Sequence, residues 1–258
     1  MKIRPIIRHA GCNILGIYRY LRALPAYFRD RREFIRQRKD DASFVMGESY
    51  PILHEKYEEA GVLAGHYFHQ DLLVARRIFE NKPIRHVDLG SRTDGFVAHV
   101  AVFREIEILD IRPLQSKVKN ITFRQADLMQ LPEELIQCCD SFSSLHAIEH
   151  FGLGRYGDPI DYHGHEKAMA HVAKIIKPGG KFYYSAPMGV QRIEFNAHRI
   201  FSASYMMSLL TPDFIIDRFS VVDDMGDLHE NVEVTDEEIA KNFGCTYGCA
   251  IIEMTRKN

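Results

Sequence analysis

The hydrophobic positions of this chain follow two different periods. Ile14, Leu15, Ile17, Tyr18, Leu21 and Leu24 recur at near-helical spacing, while Arg19, Arg22, Arg29, Arg31 and Arg32 fill other positions. That pattern predicts a basic arm over residues 1–45 made of one or two amphipathic helices. Residues 40–51 read as an irregular linker ending at Pro51, and 52–80 as leading helices. In those helices Leu53, Tyr57, Leu63, Leu72, Leu73, Ala75 and Ile78 are available for burial, with Gly61 and Gly65 as interruptions. From residue 84 the pattern shortens to β-favouring runs: IRHVDL (84–89), EIEILDI (105–111), ITF (121–123), DSFSSL (140–145) and KFYYSAP (181–187). Helix-like stretches or turns separate them, which predicts an α/β domain with a doubly wound, mostly parallel sheet and helices on both faces. The final runs, FIIDRFSVV (214–222) and YGCAIIEMTR (247–256), lack a clear crossover helix and are expected to pair as an antiparallel ribbon on the sheet edge. The sheet core then spans 84–256 within a domain of 46–258.

Length and composition fit that plan. A chain of 258 residues can bury one sizeable core, and 46% hydrophobic with 26% charged residues is the mixture of a soluble globular protein rather than a disordered one. Net charge is only -2 but uneven: residues 1–40 hold eleven basic against three acidic side chains, the remainder 22 against 32. The arm is therefore a candidate for a peripheral membrane or protein partner, with packing of its apolar face on its own domain as the plainer alternative. Nucleic acid is not expected, since the body is acidic and carries no binding motif. Five cysteines without repeated C-x-x-C pairs suggest reduced thiols in a cytoplasmic protein, and no metal is assigned. No apolar stretch is long enough to span a bilayer, and Arg4 and Arg8 argue against a secretory signal.

The residues that carry chemistry fall at strand ends, where an open parallel sheet binds its ligands. HVDLGSRTDGFV (86–97) places Asp88 at the end of the first strand and Gly90 in a turn where backbone amides can approach a ligand closely. Asp110 ends the next strand, about twenty residues after the glycine turn, where an acid can accept from both hydroxyls of a ribose. Asp127, with Leu128 beside it, follows the third strand and suits an adenine amino group. Each acid alone also reads as a solvated loop residue or helix cap.

Taken together these segments are similar to the class I S-adenosylmethionine-dependent methyltransferases. HVDLGS, EILDIRP, RQADLMQLP, DSFSSLHAIEHFGLGRYGDP, IIKPGGKFYYSAP and AHRIFSASYMMSLL occur in that family's order. KPGGKFYYSAP resembles its fifth-strand segment, and His198-Arg199-Ile200-Phe201-Ser202 its H-R-x-F-[ST] segment. The pattern also resembles a methyltransferase-like family catalogued as a domain of unknown function. The resemblance implies a seven-stranded Rossmann-like sheet with the last strand antiparallel, S-adenosyl-L-methionine as cofactor, and Asp88, Gly90, Ser91, Arg92, Asp110, Asp127 and Leu128 around it. Arg92 is a departure, since many members carry a second glycine there. It either covers the cofactor carboxylate or blocks the pocket.

His146-Ala147-Ile148-Glu149-His150 matches the H-x-x-E-H zinc pattern, but it follows a strand-like run rather than lying within a helix. The preferred expectation is a Glu-His segment bordering a methyl-transfer pocket, with His150 as general base and Glu149 orienting it. The insertion 152–168 supplies Arg155, Tyr156, Tyr162, His163 and His165 for a hydroxyl-rich acceptor such as a sugar, and a solvated loop explains the same residues. Three readings stay open at this point: methyl transfer to a small or glycan-linked acceptor, a non-catalytic binding module of the same fold, and a zinc hydrolase.

Overall fold

A computed structural model describes residues 14–39, 43–53, 55 and 59–258 of the protein. Tyr57, Arg4 and Arg8 lie outside the described residues. The chain divides into two units, Met1–Val62 and Leu63–Asn258. In the first, one continuous helix, α1 (Ile14–Arg38), runs through Pro25. Ile17, Leu21, Phe28 and Ile35 line one of its faces and are exposed.

In the second unit the helix expected over 52–80 begins only at His66. Gly65 precedes it with φ 89° and ψ 170°, a conformation that no helical residue adopts, and its amide donates to Gly226 O at 2.8 Å. In chain order the unit then runs α2 (His66–Asn81), β1 (His86–Leu89), α3 (Ala98–Ala101), β2 (Ile106–Asp110), β3 (Ile121–Gln125), β4 (Cys139–Leu145) and α4 (Gly164–Ile175). It continues through β5 (Ile176–Gly189), β6 (Arg192–Glu194), β7 (His198–Ile200), α5 (Ala203–Leu210), β8 (Phe214–Val222), β9 (Leu228–His229), α6 (Asp236–Ala240) and β10 (Tyr247–Arg256).

The main sheet has the order β3-β2-β1-β4-β5-β10-β8-β9. Pairings from β3 across to β5 are parallel, and β10 is antiparallel to both of its neighbours. The count is eight strands rather than seven because the two-residue β9 adds to the edge. The terminal runs do pair antiparallel, but not as an edge ribbon. β10 inserts between β5 and β8, where seven consecutive buried residues (Gly248–Met254) suit an interior strand and not an edge.

Strand alternation divides the core between the two faces. Leu109, Phe182, Tyr184, Ala250 and Ile252 pack on one side with Met169 and Val172 of α4 and Met206 and Leu210 of α5. Ile106, Ile108, Tyr183, Cys249 and Ile251 pack on the other with Leu73, Val74 and Ile78 of α2 and Val100 of α3. Both faces are thus covered, as a largely parallel sheet requires, and the carboxyl ends of β1, β2 and β4 are left to form a site.

Candidate functional site

The turn after β1 is held from beneath by Asp88. Its carboxylate accepts from the Ser91 amide (3.0 Å), the Ser91 hydroxyl (2.6 Å) and the Ser143 hydroxyl (2.5 Å). The side chain is fully buried, and burial pushes its pKa up to about 6 against the pull of these donors. Asp88, expected at the cofactor, therefore lies outside the lining of the hollow, because neighbouring hydroxyls already occupy its oxygens. Gly90 takes φ 66°, and a Cβ there would stand 3.0 Å from Ala147 Cβ. Both the left-handed backbone and the close strand end call for glycine. Ser91 is buried, its hydroxyl bridging Asp88 and the Leu145 amide.

The hollow lies just beyond. Gly90, Asp110, Asp127, Leu128, Ala147 and His150 are among the residues around an empty volume of about 510 Å³. A second groove continues from it past Tyr67, Ser91, Arg92 and Phe123, sharing Gly90, Asp110, Arg112, His146 and Tyr156. Three of the sequence's predicted positions, Gly90, Asp110 and Asp127, thus meet at one cavity, with Leu128 in its wall. Asp127 turns one oxygen to the Met129 amide (2.9 Å).

Two arginines settle how open this hollow is. Arg92 turns out of the hollow: its guanidinium pairs with Asp94 at 3.1 Å, lies 5.0 Å from the Tyr67 ring centroid, and is half-exposed. Arg112, which sequence reasoning missed, crosses the mouth instead. It donates to both oxygens of Asp110 (3.0 and 2.8 Å) and lies 4.2 Å over the Tyr156 ring. The only sequence signal for it is its place two residues after the strand-end acid in EILDIRP.

The segment after β4 is a 3-10 turn, Ile148–His150, and not a zinc-protease helix. Glu149 is wholly buried. It accepts from His146 Nδ1 at 2.8 Å, and its Oε1 stands 3.7 Å from His150 Nε2. Burial alone would raise the Glu149 pKa, but the adjacent His146 reverses this and holds it low. Burial likewise opposes a charged His146, yet Cys249 and Glu149 prevail and lift it to about 10. His150 borders the hollow with Nδ1 donating to Ala197 O at 2.6 Å, which leaves Nε2 as the acceptor face of its ring. Burial lowers its pKa, favouring the neutral form. Arg199 braces the turn from below, donating to the carbonyls of Glu149 (3.2 Å), Phe151 (2.6 Å) and Tyr162 (3.0 Å).

The insertion divides. Tyr156 lines the hollow, and Arg155 lies beside it, 5.1 Å from its ring and bonded to Ala197 O. Tyr162 and His163 point to solvent, and His163 pairs with Glu166 at 3.0 Å. His165 is buried in α4 against Phe201 and bonded to the Tyr205 hydroxyl at 2.7 Å. These three, expected at the acceptor, are absent from the lining: α4 starts at Gly164 and carries His165 into the core, while residues 162–163 fall on its solvent side. Tyr67 is a groove residue that no motif announced, and His146 stood out only as the first histidine of the H-x-x-E-H pattern.

Residues 97–244 match the family model described as "Caenorhabditis protein of unknown function, DUF268". The chain belongs to that family. No curated protein matches it. Among solved structures it is similar to a candidate sarcosine dimethylglycine methyltransferase from Galdieria sulphuraria, with 14% identity, coverage of 73% of this chain and 86% of that one, and a TM-score of 0.51. It is similar also to the candidate methyltransferase in a complex with the Haloferax volcanii Trm112 methyltransferase activator, at 15% identity, 74% and 91% coverage, and a TM-score of 0.50. The [4+2]-cyclase SpnF matches at 14% identity, 73% and 81% coverage, and a TM-score of 0.50. This DUF268 member thus has the class I methyltransferase-like fold, and the fold alone does not fix a reaction.

Proposed function

We propose that the hollow binds S-adenosyl-L-methionine and that the protein transfers its methyl group to an oxygen of a small or glycan-linked acceptor, with a sugar hydroxyl as the class preferred. One observation carries this reading: Gly90, Asp110 and Asp127, each from a different strand end, converge on one hollow. The residues present fit such a donor. The Asp110 carboxylate is suited to a ribose diol, Asp127 to an exocyclic amine, and Leu128 and Phe151 to an adenine face. Gly90 keeps the floor open where a side chain would meet Ala147.

When bound, the donor supplies an electrophilic methyl on a sulfonium; the protein's residues position the acceptor and handle its proton. We assign that task to His150. Its Nδ1–H is committed to Ala197 O, so Nε2 is left to accept a hydroxyl proton from the side of the hollow. Tyr156 and Arg155 form the adjoining rim, suited to orienting a polar acceptor. The basic helix α1 would dock the protein on the cytoplasmic face of an anionic membrane, where glycans are assembled.

The test is calorimetry with S-adenosylhomocysteine. Binding is expected to raise thermal stability by mass action, about 2.7 kcal/mol at a hundredfold excess over Kd, and Asp110→Ala should weaken it. A folded protein that shows no such binding is the non-catalytic module instead.

A further inference from the structure

A second cluster reaches the α2 side of the sheet and shares His146 with the hollow and the groove. His66 opens α2, His146 follows β4 with φ 51°, and Cys249 lies within β10, so three elements distant in sequence bring two imidazoles and a thiol together. Their ligating atoms all lie within 4.8 Å of one another. Cys249 and His146 are buried and His66 is partly so. His146 commits Nδ1 to Glu149, and its Nε2 is buried without a hydrogen-bond partner. A buried nitrogen left in that state costs about 1–3 kcal/mol, which a ligand bound there would recover. The His66 ring stacks on His146 with centroids 5.3 Å apart, so the two imidazoles are already adjacent.

We propose that His66, His146 and Cys249 form a site for a divalent transition-metal ion of the zinc type. A thiolate and two imidazoles select borderline-soft ions over magnesium or calcium, which require oxygen ligands. Glu149 holds His146 by the ring nitrogen that faces away from the metal, the outer-shell carboxylate arrangement that fixes tautomer and orientation. Three protein ligands leave a fourth position for water. At ordinary bond lengths of about 2.0–2.3 Å the ligand atoms would stand about 3.3–3.8 Å apart, so the cluster closes by about 1 Å on binding. Cys249 gives its thiol proton and His146 its Nε2 proton to solvent, the imidazoles donate the lone pairs so freed, and no electron changes hands. Of the H-x-x-E-H pattern only the first histidine takes part, since His150 Nδ1 is tied to Ala197 O. The site does not depend on the methyl-transfer reading, because metal binding is read without donor or acceptor.

The chelator-stripped full-length chain is titrated with Co²⁺ and, in competition with a chromophoric chelator, with Zn²⁺. One equivalent of Co²⁺ is expected, with a near-ultraviolet thiolate-to-cobalt charge-transfer band. Cys249→Ser should abolish the band and His66→Ala the stoichiometric binding, while Glu149→Gln should weaken Zn²⁺ by about 10- to 100-fold. His163→Ala, in the exposed pair with Glu166, should change nothing. Metal-free melting curves of the variants establish that each is folded. The proposal is overturned if the wild-type chain takes up no Co²⁺, if the band survives Cys249→Ser, or if folded His66→Ala binds like the wild type.

Discussion

Arg112→Ala should tighten binding of S-adenosylhomocysteine. In the free protein Arg112 grips both oxygens of Asp110 and caps Tyr156, so a ribose that is to reach Asp110 must displace the guanidinium. The Arg112 side chain is 51% exposed and that of Asp110 18%, so solvent screens the ion pair and it is worth about 0.5–1 kcal/mol. The cation–π contact at this exposure adds about 0.5–1 kcal/mol. Together about 1–2 kcal/mol opposes the ligand, and its removal corresponds to a gain of about 5- to 30-fold in affinity. Asp110→Ala should act in the other direction, since each hydrogen bond to a charged acceptor is worth about 1.5–3 kcal/mol. In an Asp110→Ala background the gain from Arg112→Ala should vanish, because nothing is left for the arginine to mask. Isothermal calorimetry on the four proteins of this cycle measures all three quantities. If Arg112→Ala weakens the ligand, Arg112 is a binding group and the masking account is wrong.

Further outcomes follow from other parts of the molecule. His86 is fully buried between the Ser141 and Ser143 hydroxyls, and burial lowers its pKa to about 3. The unfolded chain binds that proton from about pH 6.5 downward and the folded chain does not, so the stability present above pH 6.5 falls by about 1.4 kcal/mol per pH unit between there and pH 3. Urea unfolding at pH 7 and pH 5 should show a shallower loss for His86→Asn, and an equal slope would refute the assignment. Arg199→Met leaves three backbone carbonyls without their charged donor and should cost about 2–5 kcal/mol; a loss under about 0.5 kcal/mol in denaturant titration would show that Arg199 is not the brace. Replacing Arg29, Arg31 and Arg32 by alanine should reduce co-sedimentation with phosphatidylserine vesicles by about 100-fold, at about 1 kcal/mol for each basic residue. Equal binding to neutral vesicles would count against an electrostatic membrane role for α1.

The alternation of short apolar runs with helices was legible because the central strands lie between covered faces and are largely apolar, while β3 at the edge is only partly buried. The order of strand ends was legible for the same reason, and with it the meeting of Gly90, Asp110 and Asp127. What escaped reading depends on partners far along the chain. Asp88 and Asp110 look alike as acids at the ends of apolar runs. One is taken up by Ser91 and Ser143 inside the fold, the other reaches the hollow. Nothing local marks Ser143 as the partner, since it arrives on β4 by crossover. Periodicity equally gave no sign that β10 would enter the sheet interior, which depends on where β8 leaves room. Gly65 was legible as an interruption of the leading helices, but nothing local showed that the first turn beyond it, with His66 and Tyr67, would face the strand ends. Tyr162, His163 and His165 were read as one polar group, although the start of α4 sends them in different directions.

Glu149 links the two sites that the structure suggests. Its Oε1 is 2.8 Å from His146 Nδ1 and 3.7 Å from His150 Nε2, so one buried carboxylate touches the metal-site histidine and faces the proposed base. A carboxylate with no exposure needs a compensating positive charge, or its desolvation cost falls on the fold. In the metal-free protein the proton on His146 supplies that charge, and His150 can stay neutral. A divalent ion on Cys249, His66 and His146 would take over the same electrostatic role. Either way the charge is balanced on the His146 side, and His150 keeps the lone pair that a hydroxyl acceptor needs. Under the two proposals, the turn Ile148–His150 is a divider that would fix one imidazole for cation binding and leave the other for proton transfer. Arg199 holds that divider in place through the carbonyls of Glu149 within it and Phe151 just after it.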